Sequence, residues 1–264
     1  MHTVDESHEE PVKEESVKIR PFHLRWPYFF WYICTTMAFN GKVYFCSDLH
    51  FSHPSQLYFH PERRDAAGIS LEELQTLPKD ELMKRHDEWL IDLWNSTVKR
   101  EDFVYHLGDF CLGTRERTEK ILQKLKGRKF FIRGNHDRSL NGNERFLEGI
   151  WDIKEAKFSH DMFPFIKEGE TFCTELCHYP QIAWNRRPHG ASHIHGHCHG
   201  SIDKLNSESL ELRVDVGFDG ELANHGLVDL ETIYRHFYSI VNSAGCNDFQ
   251  EYAEWLMEKQ GYRM

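Results

Sequence analysis

The 264-residue chain lacks any apolar run long enough to cross a membrane. Its most hydrophobic stretch, Trp26-Pro27-Tyr28-Phe29-Phe30-Trp31 through Phe39, is shorter than the roughly 20 residues a spanning helix needs, and Pro27 stands near its start. A basic leader is also missing. Residues 1–20 are polar and acidic without apolar periodicity, which argues against a secretory signal and reads as a disordered leader. Cysteine is present but unpaired: seven residues, an odd number, with no framework spacing. They read as the reduced thiols of a cytoplasmic protein. Cys173 and Cys177 lie four apart with no second pair to complete a zinc knuckle, so packed thiols are expected there. Positive charge is in deficit, with 32 Lys and Arg against 42 Asp and Glu and a formal net charge of −10. Capture of long DNA or RNA by a basic surface is therefore not expected. A small phosphorylated ligand at a metal site remains compatible, because bound cations invert the local field.

No internal repeat and no linker divides the chain. The expected organisation is an N-terminal extension over residues 1–36, a main domain over 37–240 and a helical tail over 241–264. The extension has three readings: an extra element packed on the domain, a segment lying at a membrane surface, or a dispensable leader with Met37 as an alternative start. What is present is apolar and aromatic content, 40% and 14%, sufficient for a core.

The first half alternates strands and helices. Lys42 to Cys46, Phe103 to Leu107 and Lys129 to Ile132 are short buried-strand runs. Residues 51–69 read as loop. Ser70 and Glu73 form a capping box, and Pro78 places the start of the main helix near Lys79. Thr114 to Lys126 reads as a second helix stopped by Gly127. In the second half Thr171 to Cys177 and Leu210 to Val216 read as strands, and residues 229–240 and 248–259 as amphipathic helices. His193, His195, His197 and His199 stand at every second position, which in a strand would set them on one side.

A polar cluster follows each strand. In order these are Asp48-Leu49-His50, Gly108-Asp109, Gly134-Asn135-His136-Asp137, His178 and Gly196-His197-Cys198-His199. Asp, Asn and His can hold borderline divalent metals without thiolate. Two such ions roughly 3.5–4 Å apart can clamp a phosphoryl group and activate water. Open α/β sheets place ligands at these strand ends. Taken singly, each Asp is more simply a cap or turn residue and each His a packed or surface residue. The ordered set of five is what points to a site.

These five segments resemble the calcineurin-like metallophosphoesterase family, including its small bacterial and phage-associated members, over roughly Lys42 to Leu230. The resemblance implies an α/β fold: a four-layer α/β/β/α sandwich, two mixed sheets flanked by helices with the metals at strand ends. It implies that Asp48, His50 and His199 hold one metal, that Asn135, His178 and His197 hold the other, and that Asp109 bridges them. It further implies His136 as the general acid that protonates the leaving oxygen, with Asp137 orienting its imidazole. Two divalent ions are expected, drawn from Mn, Fe, Zn, Ni or Co. One departure is visible. Many members carry a further Asp three residues after the bridging one, and here that position is Leu112.

The expected function is metal-dependent hydrolysis of a small or nucleotide-like phosphodiester or phosphomonoester. The alternatives are a nuclease on single-stranded or nicked nucleic acid and a non-catalytic metal-binding scaffold. Candidate substrate contacts are His53, Arg138, Tyr179, Trp184, Arg186 and Arg187. Arg forks suit phosphate oxygens and aromatic faces suit a nucleobase. Solvated charge or a structural ion pair, and aromatic packing under a loop, are the competing explanations for these six. His193 and His195 are expected to pack or support rather than ligate.

Overall fold

The computed structural model describes residues 41–259, so the N-terminal extension and its aromatic segment lie outside the described residues. In chain order the strands are β1 Val43–Cys46, β2 Phe103–His106, β3 Arg128–Ile132, β4 Gly149–Trp151, β5 Ile153–Ser159, β6 Thr171–Cys177, β7 Ser192–His195, β8 Arg213–Asp215 and β9 Val228–Asp229. The α-helices are α1 Gln56–Phe59, α2 Pro61–Ala66, α3 Leu71–Thr76, α4 Lys79–Thr97, α5 Arg115–Lys124, α6 Asp203–Glu208, α7 Leu230–Ser243 and α8 Phe249–Lys259.

The strands form two mixed sheets, ordered β4-β3-β2-β1-β9 and β5-β6-β7-β8. β1 to β4 are parallel and β9 is antiparallel to β1. In the second sheet β5 is antiparallel to β6, while β6, β7 and β8 are parallel. The two-sheet α/β sandwich with flanking helices expected from the sequence is what the chain forms.

Strand alternation divides the first sheet's side chains between two faces. Tyr44, Cys46, Val104 and Phe131 join one apolar cluster with Leu90, Ile91 and Trp94 of α4 and Ile121 and Leu122 of α5. Phe45, Tyr105 and Phe130 stack along the other face. There Phe45 meets Phe158 of β5 edge-on at 6.3 Å, which locks sheet to sheet. Phe45, Phe131 and Phe158 are essentially inaccessible to solvent. Truncating such a residue to Ala costs about 3–5 kcal/mol. Phe172 of β6 extends the aromatic cluster to Tyr234 and Phe237 of α7 and Phe249 of α8.

Local signals fixed the helix starts. Ser70 and Glu73 form the reciprocal capping box of α3, Thr114 caps α5, and Pro78 separates α3 from α4. Two expectations are corrected. Residues 51–69 are not a structureless loop but carry α1 and α2. Pro61 opens α2, where its missing N–H costs nothing. The histidine run is a strand only through His195. His197 and His199 follow it with φ of 70° and 48°, so strand alternation does not govern them.

The strand ends are tied across the sandwich. Ser47 donates its N–H to the Val216 carbonyl and receives that of Phe218, while Val216 donates to His195. The carboxyl ends of β1, β7 and β8 are thereby drawn to one place.

Candidate metal centre

Each candidate ligand sits at or just past the end of a strand. Asp48 and His50 follow β1, Asp109 follows β2, and Asn135 follows β3. His178 follows β6, and His197 and His199 follow β7. The turns interlock through backbone bonds: Asp48 N–H donates to the Gly108 carbonyl and His50 N–H to the Asp109 carbonyl. Of the ten non-glycine residues at positive φ among the described residues, five are candidate ligands: Asp48, His50, Asp109, His197 and His199. L-residues avoid this region, and strained backbone of this kind gathers where geometry serves a site.

Two donor sets converge. Asp48, His50 and His199 bring one donor atom each to a common point, and Asp109, His178 and His197 do the same beside it. In the first set the Nε2 atoms of His50 and His199 face each other at 3.2 Å, and each stands 3.8 Å from Asp48 Oδ1. In the second, His178 Nε2 lies 3.1 Å from Asn135 Oδ1, 3.2 Å from His197 Nδ1 and 3.6 Å from Asp109 Oδ2. Asp109 Oδ2 is also 3.8 Å from His50 Nε2, so this carboxylate faces both sets.

The protons show why these groups need a cation. His178 Nδ1 is 2.8 Å from the Leu107 carbonyl and His199 Nδ1 is 2.6 Å from an Asp219 oxygen. Both partners are acceptors, so each Nδ1 carries a hydrogen. The Nε2 lone pair of a neutral His178 then faces Asn135 Oδ1, and His50 Nδ1 is buried with no hydrogen-bond partner. Asp48 Oδ1 is fully buried at the convergence and has no hydrogen-bond partner. Burial raises the Asp48 carboxyl to about 7, against the lowering effects of His199, Ser47 and the His197 amide. Burial drives His50 far below the ordinary imidazole value, with His199 and Arg63 adding to it. His178 is also lowered, chiefly by burial, with Asp109 opposing. Imidazoles held neutral at His50 and His178, beside an orphaned buried carboxylate oxygen, fit divalent cations.

His136 is open, with half its side chain accessible and Nε2 4.0 Å from Asp109 Oδ2. Its backbone N–H donates to Asp109 Oδ1 at 2.8 Å, anchoring the ring at the rim of both sets. The orienting role expected of Asp137 is corrected. Its two oxygens accept the backbone N–H groups of Asp109, Phe110 and Gly134 at 2.7–2.9 Å. A carboxylate so occupied fixes the turns that carry Asp109 and Asn135 rather than the His136 ring.

The six candidate substrate contacts separate into two groups. Tyr179 is 45% exposed, its ring packs edge-on to His178 and His197, and its hydroxyl is 3.4 Å from Asn135 Oδ1. His53 is half-buried, its ring 6.0 Å from that of His50. Arg138 is exposed two residues beyond His136. Trp184 is corrected: it is buried, stacks on His193 and donates Nε1–H to the Ala191 carbonyl at 2.7 Å. Its faces are already used in packing. Arg187 is likewise committed, pairing with the Glu211 carboxylate and lying over the Trp184 ring. Arg186, at φ 59°, borders a small recess lined by Glu155, Glu175 and Asn185, none of them a candidate ligand. Trp184 and Arg187 thus tie their loop to β7 and to Glu211.

His193 and His195 are buried supports. His193 contacts the Glu175 and Tyr179 carbonyls, and His195 contacts Asn206. Three further residues were missed by sequence reasoning: Asp219, Arg63 and His60. Asp219 follows a strand end, as the ligands do, and that was its one available signal. Arg63 and His60 lie in the stretch read as loop, and nothing in their spacing marked them.

Residues 41–216 match the model of the calcineurin-like phosphoesterases, and the chain belongs to that family. Phosphoester hydrolysis is the activity class this defines, with a His and Asp metal site as its chemical basis. Among relatives, the gene 66 protein of Mycobacterium phage D29 is 29% identical over 211 residues, covering 73% of this chain and 94% of its own. The uncharacterized protein MJ1445 of Methanocaldococcus jannaschii is 31% identical over 200 residues, covering 74% and 90%. The crystal structure of AQ665 from Aquifex aeolicus, a protein of unknown function, shares the fold. It has a TM-score of 0.50 and 20% identity, over 75% of this chain and all of that one. Among the described residues no helix is long and apolar enough to cross a membrane.

Proposed function

We propose that the chain hydrolyses a small or nucleotide-like phosphoester with two divalent cations. Asp48, His50 and His199 hold one cation, Asn135, His178 and His197 hold the other, and Asp109 bridges them. The observation that carries this reading is two adjacent donor sets, with Asp109 Oδ2 within 3.8 Å of His50 and 3.6 Å of His178 and the buried Asp48 Oδ1 unpartnered. Bound cations at these positions supply Lewis acidity to phosphoryl oxygens and lower the pKa of water.

The remaining work falls to this chain's own groups. His136 stands at the rim of both sets with its ring open to solvent, so a substrate seated there would present its leaving oxygen to an imidazole that can act as a proton donor. Asp137 keeps the backbone of Asp109 and Gly134 in place, so the bridging oxygens do not drift. Tyr179 and His53 flank the opening. Tyr179 offers a ring edge and a hydroxyl, and Arg138 supplies an exposed guanidinium for a non-reacting phosphate oxygen. Asn135 and His197 are themselves exposed, so the opening lies over the second set.

A hydrolysis panel tests the reading. Metal-free protein is reloaded with Mn, Fe, Zn, Ni or Co singly and offered a nitrophenyl monoester, a nitrophenyl diester, cyclic nucleotides, dinucleotides and a short oligonucleotide. Turnover of a small ester that appears only with metal is the expected result. Turnover confined to the oligonucleotide favours the nuclease alternative. No turnover of any member with any of the five metals contradicts the proposal.

A further inference from the structure

Beside the first donor set lies a second cluster that does not face the opening. Arg63, on α2, is fully buried, and its guanidinium makes four hydrogen bonds. Nε and Nη2 reach the two oxygens of Asp219 at 2.7 and 2.6 Å, Nη2 also donates to the Asp48 carbonyl at 2.8 Å, and Nη1 donates to the Leu49 carbonyl at 3.1 Å. The guanidinium lies over the Phe218 ring at 4.7 Å. Asp219 in turn accepts the Nδ1 hydrogen of His199 at 2.6 Å, and its side chain is 3% exposed. One buried cation is therefore tied to the backbone around two ligands at positive φ, Asp48 and His50, and through Asp219 to a third, His199.

The two donor sets are not supported alike. His199 is backed by a carboxylate that is itself paired with a guanidinium. The corresponding nitrogen of His178 is backed by a neutral backbone carbonyl, that of Leu107. A carboxylate behind an imidazole fixes its tautomer and raises its basicity as a ligand. Asp48 and His50 are buried, whereas Asn135 is a neutral, exposed ligand and His197 is exposed as well. The cluster is not itself a third cation site. His60, His199 and Asp219 could converge on an ion, but the Arg63 charge 2.6 Å from Asp219 already occupies that role.

We propose that Asp219, held by Arg63, is a positioning residue that fixes His199 and makes the Asp48–His50–His199 site the tighter of two unequal cation sites. This rests on the dinuclear reading given above. The His60 ring, stacked on His199 at 4.8 Å, closes the outer side of the same imidazole.

Titration of metal-free protein with Co²⁺ alone, followed by visible absorbance, tests this without any turnover. The parent should take up two Co²⁺ in two separated phases. Asp219→Asn should weaken the tight phase by about 10–100-fold and leave the weak one in place. Arg63→Lys keeps a charge but cannot span Asp219 and two carbonyls, so it should weaken the same phase less. It also serves as the second variant if Asp219→Asn does not fold. Parent phases of equal affinity, or a tight phase unchanged in a folded variant, would overturn the inference. Uptake of fewer than two Co²⁺ by the parent would instead overturn the dinuclear reading beneath it.

Discussion

At the scale of single residues, what distinguishes this site is a set of positions that an L-residue would ordinarily avoid. Asp48, His50, Asp109, His197 and His199 all hold positive φ, and their neighbours over-determine that conformation. Ser47 Oγ donates to the Leu107 and Gly108 carbonyls, and Asp48 Oδ2 accepts the His197 N–H. His136 differs from the ligands in being half exposed and in meeting Asp109 only at 4.0 Å. That placement suits proton transfer to a departing group. His136→Ala should leave the cations bound and slow hydrolysis of esters with poor leaving groups by about 10²–10⁴-fold. The loss should shrink for nitrophenolate, which departs without a proton. Steady-state rates on an alkyl and a nitrophenyl ester of the same phosphate check this. Equal losses on both would remove His136 from the acid role. The candidate ligands were legible in the sequence because each followed a strand. Their supports were less so: Arg63 acts through buried bonds to residues 14 to 156 positions away, a relation that no local pattern carries.

Among elements, the decisive features are the strand ends and the glycines that let them touch. A Cβ on Gly196 would fall 2.0 Å from Ser47 Oγ and 2.6 Å from Asp48 Oδ2, so the β7 turn can approach β1 only because no side chain intervenes. Gly196→Ala should therefore displace Asp48, weaken cation binding and cut turnover by about 10²-fold, the usual scale for misplacing reacting groups by 1 Å. A manganese-binding isotherm and kcat on one nitrophenyl ester read both effects, and parent-like values would show that this approach is not needed. Strand and helix positions were mostly legible, since β6 carries a seven-residue apolar-alternating run and α3 to α5 carry caps or a proline boundary. Two segments misled. The His-x-His alternation continues past β7, but the chain turns at Gly196, so periodicity alone over-extended the strand. Residues 51–69 lack apolar periodicity because α1 and α2 are too short to show one, yet α2 delivers Arg63. Trp184 and Arg187 carried plausible substrate-binding chemistry, but stacking on His193 of β7 and pairing with Glu211 already engage them.

For the molecule as a whole, burying many imidazoles has a pH consequence. His86, His106 and His193 are held neutral with values lowered to about 3, and His195 to about 4, in each case first by burial. The unfolded chain titrates them near 6.5. Below that value the unfolded state binds protons that the folded state refuses, so the stability these four rings contribute is full above pH 6.5 and falls as pH drops toward 4, with the raised Asp48 carboxyl opposing part of the loss. The expected loss is roughly 1 kcal/mol per buried histidine per pH unit. Urea unfolding of metal-free protein at pH 7.5 and 5.5 should show a clearly lower midpoint at 5.5, and an unchanged midpoint would mean these rings protonate without unfolding. The same arrangement, neutral nitrogens and buried carboxylates brought together by two sheets, is what makes a dinuclear centre the central claim. Its most direct test is metal content by mass spectrometry on the parent and on Asp109→Asn, each also assayed on a nitrophenyl diester. Two divalent ions per parent chain, fewer in Asp109→Asn, and hydrolysis abolished in the variant are the expected results. Two tightly held ions and parent-level hydrolysis in Asp109→Asn would contradict the claim.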